Sequence, residues 1–190
     1  MREVPFDSDG DYSIERFEAV YTSELANGLG NLASRVIAMI EKYRAGVVPE
    51  GRTSPLDAED AADLSTAISA LDGSRGYLCH EALAAIARVT VRANGFIQVA
   101  QPWALAKDPA KSAELDTVLG ALARSLARQA VALSAFMPHK SESLWTQLGG
   151  PGTSASVQYA QLPMLQTAGW KVKKGDGLYP RPEAPPAANG

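Results

Sequence analysis

The chain has 190 residues, 46% hydrophobic and 21% charged, with a net charge of −3 at pH 7. That length and apolar content suit one domain with a real core plus a tail. The acidic balance excludes a generic polyanion-binding module, no apolar run approaches the roughly 18 residues of a membrane span, and the single cysteine, Cys79, excludes an internal disulfide or a Cys-rich zinc site.

Residues 1–12 read as an acidic lead-in, with Glu3, Asp7, Asp9 and Asp11 and no apolar block. That pattern does not fit a secretory signal peptide, so cytosol is the expected compartment. Ser13 is a candidate N-cap with Glu15 in the first turn after it. Phe17, Val20, Leu25, Leu29, Leu32, Val36 and Ile40 then recur at helical spacing up to Tyr43. Gly28 and Gly30 interrupt that run, which allows two helices or one kinked helix. Gly46, Pro49, Gly51 and Pro55 mark a loop, a helix is expected from about Leu56 to Leu71, and Asp72-Gly73-Ser74 turns the chain. The next helix spans Tyr77 to Val99 and ends at Pro102. Lys111 to Phe136 has the cleanest apolar periodicity; Pro138 stops it, and Ser141 to Leu148 makes a short last helix. From Gly150 onward the chain is rich in Gly and Pro and reads as an irregular tail, with Glu183–Gly190 expected to be disordered. The expected architecture is all-α: an antiparallel bundle of about five helices over residues 13–149, followed by the tail at 150–190.

No catalytic signature stands out. A Gly-rich phosphate loop, a paired-His metal motif and a serine nucleophile elbow are all missing from the sequence. His80 and His139 are far apart and read as surface or capping residues, and Cys79 reads as a small buried side chain.

Polar residues at helical spacing are more informative. Asn27, Asn31 and Arg35 are four apart and share one helix face, largely opposite Leu25, Leu29, Leu32 and Val36. Two asparagines in register cost helix stability with no obvious local return. Amide and guanidinium groups read base edges through paired hydrogen bonds. Equally, the asparagines could satisfy backbone near the two glycines while Arg35 pairs with an acid from another helix. Trp103 follows Pro102 at a helix break, where a rigid turn could present the ring for base stacking or plug the end of the bundle. Trp145 and Trp170 read as packing residues. Arg88 and Arg92, Lys107 and Lys111, and Arg124 and Arg128 form basic pairs four apart, which fit either phosphate contacts or solvated helix faces.

Several of these segments together carry a family resemblance. Residues 23–35, Ser-Glu-Leu-Ala-Asn-Gly-Leu-Gly-Asn-Leu-Ala-Ser-Arg, resemble the first anticodon-domain helix of bacterial methionyl-tRNA synthetases. Ala93-Asn94-Gly95-Phe96-Ile97, Gln101-Pro102-Trp103-Ala104-Leu105-Ala106-Lys107, and Met137-Pro138 with Leu144-Trp145-Thr146-Gln147-Leu148-Gly149 resemble further hallmarks in the same order. Arg2 to Phe6 looks like the exit from the catalytic core, and Leu178-Tyr179-Pro180-Arg181 like the closing motif. The resemblance implies that Asn31 and Arg35 hydrogen-bond a CAU anticodon, that Asn27 flanks them, and that Trp103, set by Pro102, stacks on the first anticodon base. It also implies the anticodon stem-loop of tRNA(Met) and the parent's catalytic domain as partners, no membrane, and a cytoplasmic location. Thr22, Gln98 and Val99 depart from the family pattern near the pocket. The signatures that bind ATP and the zinc-binding cysteines are missing, so no cofactor is expected on this chain. The parent enzyme would use ATP, with zinc as a further candidate, and this chain alone should not form methionyl-adenylate. A free-standing paralogue serving as a tRNA-binding or protein-interaction module is the alternative.

Overall fold

A computed structural model describes residues 13–180; the readings placed on 1–12 and on Glu183–Gly190 lie outside the described residues. Ser13 does cap the first helix, its Oγ accepting the Arg16 N–H at 3.1 Å. From there the chain stays helical to Arg44, as α1 (Ile14–Val20), a π-helical segment π1 (Tyr21–Gly30) and α2 (Asn31–Arg44). The expected helix break or kink at Gly28 and Gly30 is therefore corrected. The glycines lie within a widened helix, and the Asn31 N–H reaches five residues back to the Ala26 carbonyl as well as to that of Gly28. A π-turn takes up roughly one more residue than an α-turn and is rare beyond a single turn. Close packing at Gly30 accompanies it: a Cβ there would stand 3.0 Å from the Leu25 oxygen and 3.4 Å from Tyr179 Cδ2.

Four further long or medium elements follow: α3 (Pro55–Ala70), α4 (Cys79–Ala100), α6 (Ser112–Leu133) and α7 (Pro138–Leu148), with the single turn α5 (Pro102–Leu105) before α6. The fold is all-α, and β structure among the described residues is one antiparallel bridge, Val47 to Lys171. Pro138 begins α7 as well as ending what precedes it, because proline fits the first helical position, where no N–H is needed. The last helix is thus longer than the expected Ser141–Leu148.

α6 is the post around which the others stand. Every residue from Val118 to Leu133 is buried, so it is covered on all sides rather than along one stripe. α3 and α4 pack antiparallel, with Arg92 meeting Asp60, and Arg88 meeting Asp63 one turn further on. α2 runs antiparallel to α6. At one end Arg44 bonds Asp116 and Ser112; at the other Tyr179 joins Gly30 to Met137.

The helix faces expected to carry Arg124 and Arg128 into solvent or onto phosphates are also corrected. Both arginines are buried, at 4% and 2% exposure, around Asp57. Arg124 donates to both Asp57 oxygens at 2.8 Å, and Arg128 donates to Oδ1 at 2.9 Å. Asp57 Oδ2 also accepts the Ser54 N–H at 2.8 Å, which closes the N-terminus of α3. Further guanidinium N–H groups reach the carbonyls of Arg52, Leu162 and Pro163. One carboxylate therefore joins α3, α6, the 51–52 loop and the segment after α7. That loop lies directly on the helix backbone, where a Cβ at Gly51 would come 2.4 Å from the Asp116 oxygen.

The segment after α7 lacks long helices but is tied down throughout. Leu162, Val172, Leu178 and Tyr179 are buried, and Trp170 meets Trp145 edge to face at 4.9 Å. Val172 N–H bonds the Gly46 oxygen, Lys174 N–H bonds Glu41 Oε1, and Tyr21 Oη bonds the Pro180 oxygen. Residues 170–180 thus run antiparallel along the whole of α2 and π1. Phe17, the first apolar residue of the helical run, is 56% exposed, and α1 has no buried residue.

Replacing Asp57 by Ala leaves two buried guanidinium groups without their carboxylate and should lower urea-unfolding stability by about 3–5 kcal/mol. Arg75→Ala, at the exposed pair with Glu81, should cost under about 1 kcal/mol.

Acid titration should separate two carboxylates. Asp57 resists burial through Arg124 and Arg128 and falls to about 2, so the stability it confers above pH 4 is lost as pH falls through 2. Asp60 is fully buried with Oδ2 unbonded; burial outweighs Ser125, Arg128 and Arg92 and lifts it from 3.8 to about 6. Its native form holds a proton the unfolded chain gives up, so its contribution is present below pH 4 and lost as pH rises through 6. Asp60→Asn should flatten the stability profile between pH 4 and 6; an unchanged slope would count against this burial.

Gly30→Ala should lower the melting temperature, although alanine in an ordinary helix interior stabilises by up to about 1 kcal/mol over glycine. A raised melting temperature would contradict the close packing of Tyr179 on π1.

Candidate nucleic-acid interface

The three polar residues singled out in the first helical run fall on two kinds of helix. Asn27 is exposed on π1, whereas Asn31 and Arg35 lie on α2, exposed and half-buried respectively. Leu29, Leu32 and Val36 are buried beneath them. The wider π-turn changes the angular step between Asn27 and Asn31 but leaves both on the solvent side.

Among the described residues, no hydrogen bond or ion pair engages the Asn31 amide or the Arg35 guanidinium. The reading in which Asn31 serves the backbone and Arg35 pairs with an acid is therefore not what the fold does with them. The other arginines of the sequence pairs are occupied. Arg88 bonds Asp63 at 2.8 Å, Arg92 pairs with Glu59, Asp60 and Asp63, and Arg124 and Arg128 share Asp57. Asp63 stays ionised easily within this network: hydrogen bonds from Arg92 and Arg88 outweigh burial and hold its carboxyl below the ordinary value. Lys42, seven residues beyond Arg35 and exposed on the same ridge, was not singled out by motif, although its spacing places it there.

Trp103 is presented by backbone geometry. Gln101 takes a left-handed conformation, φ 46 and ψ 59, which ends α4 with its N–H on the Ile97 oxygen. Pro102 then starts α5 and is buried, while Trp103 next to it is 38% exposed. The buried proline and Leu105 anchor the turn on α6, so the indole is held by a fixed backbone rather than by a loop. Gln98 and Val99, which depart from the family pattern, are exposed on the last turn of α4, and Thr22 is half-buried on π1.

The connectivity brings these pieces to one region. π1 rests on α4, where Gly28 faces Thr90 with room for a Cβ 3.7 Å from Cγ2. Thr90 in turn donates to buried Gln129 at 2.6 Å, and Asn94 turns its amide back onto the Thr90 oxygen. The C-terminal half of α2 meets the start of α6 through Arg44, and α5 immediately precedes that start. The ridge of Asn31, Arg35 and Lys42 therefore has α4 on one flank and residues 170–180 on the other. Trp103 lies just past the C-terminal end of α4. The arrangement offers guanidinium and amide donors, an aromatic face and a lysine, and no nucleophile with an adjacent base. Among the described residues, no group of His, Cys, Asp or Glu could hold a metal ion, and no helix is long and apolar enough to cross a membrane.

Comparison with known proteins places the fold. No family model matches the chain. The methionine–tRNA ligase of Streptomyces coelicolor is 39% identical over 203 residues, covering 99% of this chain and 37% of the relative. That of Bacillus subtilis is 36% identical over 187 residues, covering 97% of this chain and 28% of the relative. Among solved structures, the free-state methionyl-tRNA synthetase of Mycobacterium tuberculosis superposes with a TM-score of 0.85 at 30% identity, over 97% of this chain and 38% of the other. The same synthetase in complex with methionyl-adenylate gives 0.84 at 32% identity, over 95% and 36%. The chain spans about a third of the length of the relatives it matches. Over that third, in sequence and in helical architecture, it is similar to the methionyl-tRNA synthetases, consistent with their C-terminal helical domain.

Proposed function

We propose that this chain reads the CAU anticodon of tRNA(Met) as the anticodon-binding domain of a methionine–tRNA ligase. The observation that carries this reading is an exposed Trp103 on a fixed turn at the end of α4, the helix that flanks a ridge whose Asn31 and Arg35 have no partner within the described residues. Loop bases of RNA are gripped by stacking on aromatic rings and by hydrogen bonds to their edges. Trp103 supplies the stacking face for the first anticodon base. Arg35 offers a planar fork of N–H donors, and Asn31 and Asn27 offer amides that both donate and accept. Pro102 positions the ring and makes no base contact itself.

In this reading residues 13–149 are the RNA-reading bundle, the segment from 150 braces it, and residues 1–12 lead in from the catalytic core. Methionine activation with ATP belongs to that core, as does any zinc, and the assembled enzyme works in the cytoplasm. The domain adds selectivity: it fixes which tRNA is offered to chemistry done elsewhere.

Trp103→Ala should weaken binding of a CAU anticodon stem-loop by about tenfold, near the low end of the ~1–3 kcal/mol of one base–aromatic stack. The check is a fluorescence titration of the chain with stem-loops differing only in the first anticodon base. The wild type should prefer cytosine there, and the variant should lose most of that preference while keeping its helical circular dichroism. Equal affinity of the wild type for all four loops would overturn the proposal.

A further inference from the structure

The lysines of residues 171–174 have no role in the fold that their side chains perform. Val172 is turned inward at 8% exposure, while Lys171, Lys173 and Lys174 are exposed. Their placement depends on main-chain groups: Lys173 N–H bonds the Gln147 oxygen at 2.8 Å, Lys174 N–H bonds Glu41 Oε1 at 3.1 Å, and Lys171 bridges Val47. Among the described residues none of the three ammonium groups has an ion pair. The acids on the segment itself and on the helices it bonds include Glu41, whose Oε1 is engaged by the main chain, Glu142, which holds Ser154, and exposed Asp176.

Position gives this segment its meaning. It is held between Glu41 of α2 and Gln147 of α7, on the flank of the Asn31–Arg35–Lys42 ridge opposite α4. Glu41 lies six residues past Arg35, about 9 Å along the helix axis at 1.5 Å per residue. An RNA loop seated on the ridge continues as backbone over its rims, and a rim of unpaired lysines complements phosphate. The whole chain is acidic, so attraction for RNA must be local.

We infer that Lys171, Lys173 and Lys174 form a phosphate-binding rim that grips the backbone of the RNA whose anticodon the ridge reads. This rests on the proposed function above. The rim contributes affinity and salt dependence without sequence preference, because phosphates carry no base identity. The ridge and Trp103 contribute the preference.

The experiment uses the full chain and two stem-loops, with a CAU and a non-CAU anticodon, titrated from 50 to 300 mM KCl. In Lys171→Gln/Lys173→Gln/Lys174→Gln the main-chain hydrogen bonds remain, and circular dichroism reports the fold. The expected result is a salt slope shallower by about 2, at roughly 0.7–1 for each phosphate no longer neutralised. Affinity for both loops should fall by the same factor, leaving their ratio unchanged. Arg75→Gln, at the far end of α3, removes one charge and should leave the slope as in the wild type. A slope in the triple variant that matches the wild type within error overturns the rim even where Trp103→Ala still weakens CAU binding. A loss confined to the CAU loop also overturns it. If Trp103→Ala has no effect and the triple variant still flattens the slope, the rim stands and the anticodon reading fails.

Discussion

Asp57 is the point on which the fold turns. Two arginines and a carboxylate removed from water cost more in desolvation than a lone pair returns, unless every remaining donor finds an acceptor. Here several further acceptors are supplied: Arg124 takes the Arg52 carbonyl, Arg128 takes those of Leu162 and Pro163, and Asp57 closes its own helix through Ser54. The carbonyl at 52 belongs to a loop, and those at 162 and 163 to the short 3-10 helix Tyr159–Met164. The network thus specifies where a loop and a short 3-10 turn must lie, which apolar contact alone does poorly because it has no direction. Apolar packing around α6 supplies the bulk of the stability, and Asp57 supplies the register.

That register passes outward to the face that the functional reading uses. Once the segment after α7 is fixed at Leu162 and Pro163, it continues through Trp170 and Val172 to Tyr179, along α2 and π1. Tyr179 is held in the neutral form, pushed up to about 12 by burial, so the phenol can pack on Gly30 and meet Met137 without a charge to solvate. The ridge is consequently rigid in backbone while Asn31 and Arg35 keep open hydrogen-bonding groups. Preorganised donors of this kind lose less entropy on binding than donors on a mobile loop.

Much of this was legible in the sequence, for identifiable reasons. Ser13, Pro55, Pro102 and Pro138 punctuate helices by local chemistry, and local chemistry is what a sequence displays directly. Asn31, Arg35 and Trp103 were conspicuous because each is misplaced for packing. What stayed hidden depends on distant partners. Arg124 and Arg128 have the spacing of a solvated face, and only Asp57, 67 residues from Arg124, turns that face inward. The π geometry of Tyr21–Gly30 leaves no compositional mark that two glycines in an ordinary helix would not, since Tyr179 comes from the far end of the chain. The Gly- and Pro-rich segment reads as irregular and is irregular, yet its order comes from acceptors on α2, α6 and α7 that composition does not reveal.

Net charge is the clearest case of a correct number that misleads about function. At −3 the average field of the chain is expected to repel RNA weakly. But Asp57, Glu59, Asp60 and Asp63 are all on α3 and are tied to Arg88, Arg92, Arg124 and Arg128. Those four carboxylates are thus matched on α3 itself. Arg35, Lys42 and the lysines at 171–174 lie around α2, with Glu41 among them turned to the main chain. Screening over about 8 Å at physiological salt makes this local balance, rather than the total, what an approaching phosphate encounters. A weakly acidic domain with basic residues grouped around α2 also avoids the indiscriminate polyanion binding of a basic one, which is what the proposed choice among RNAs sharing the same backbone would require.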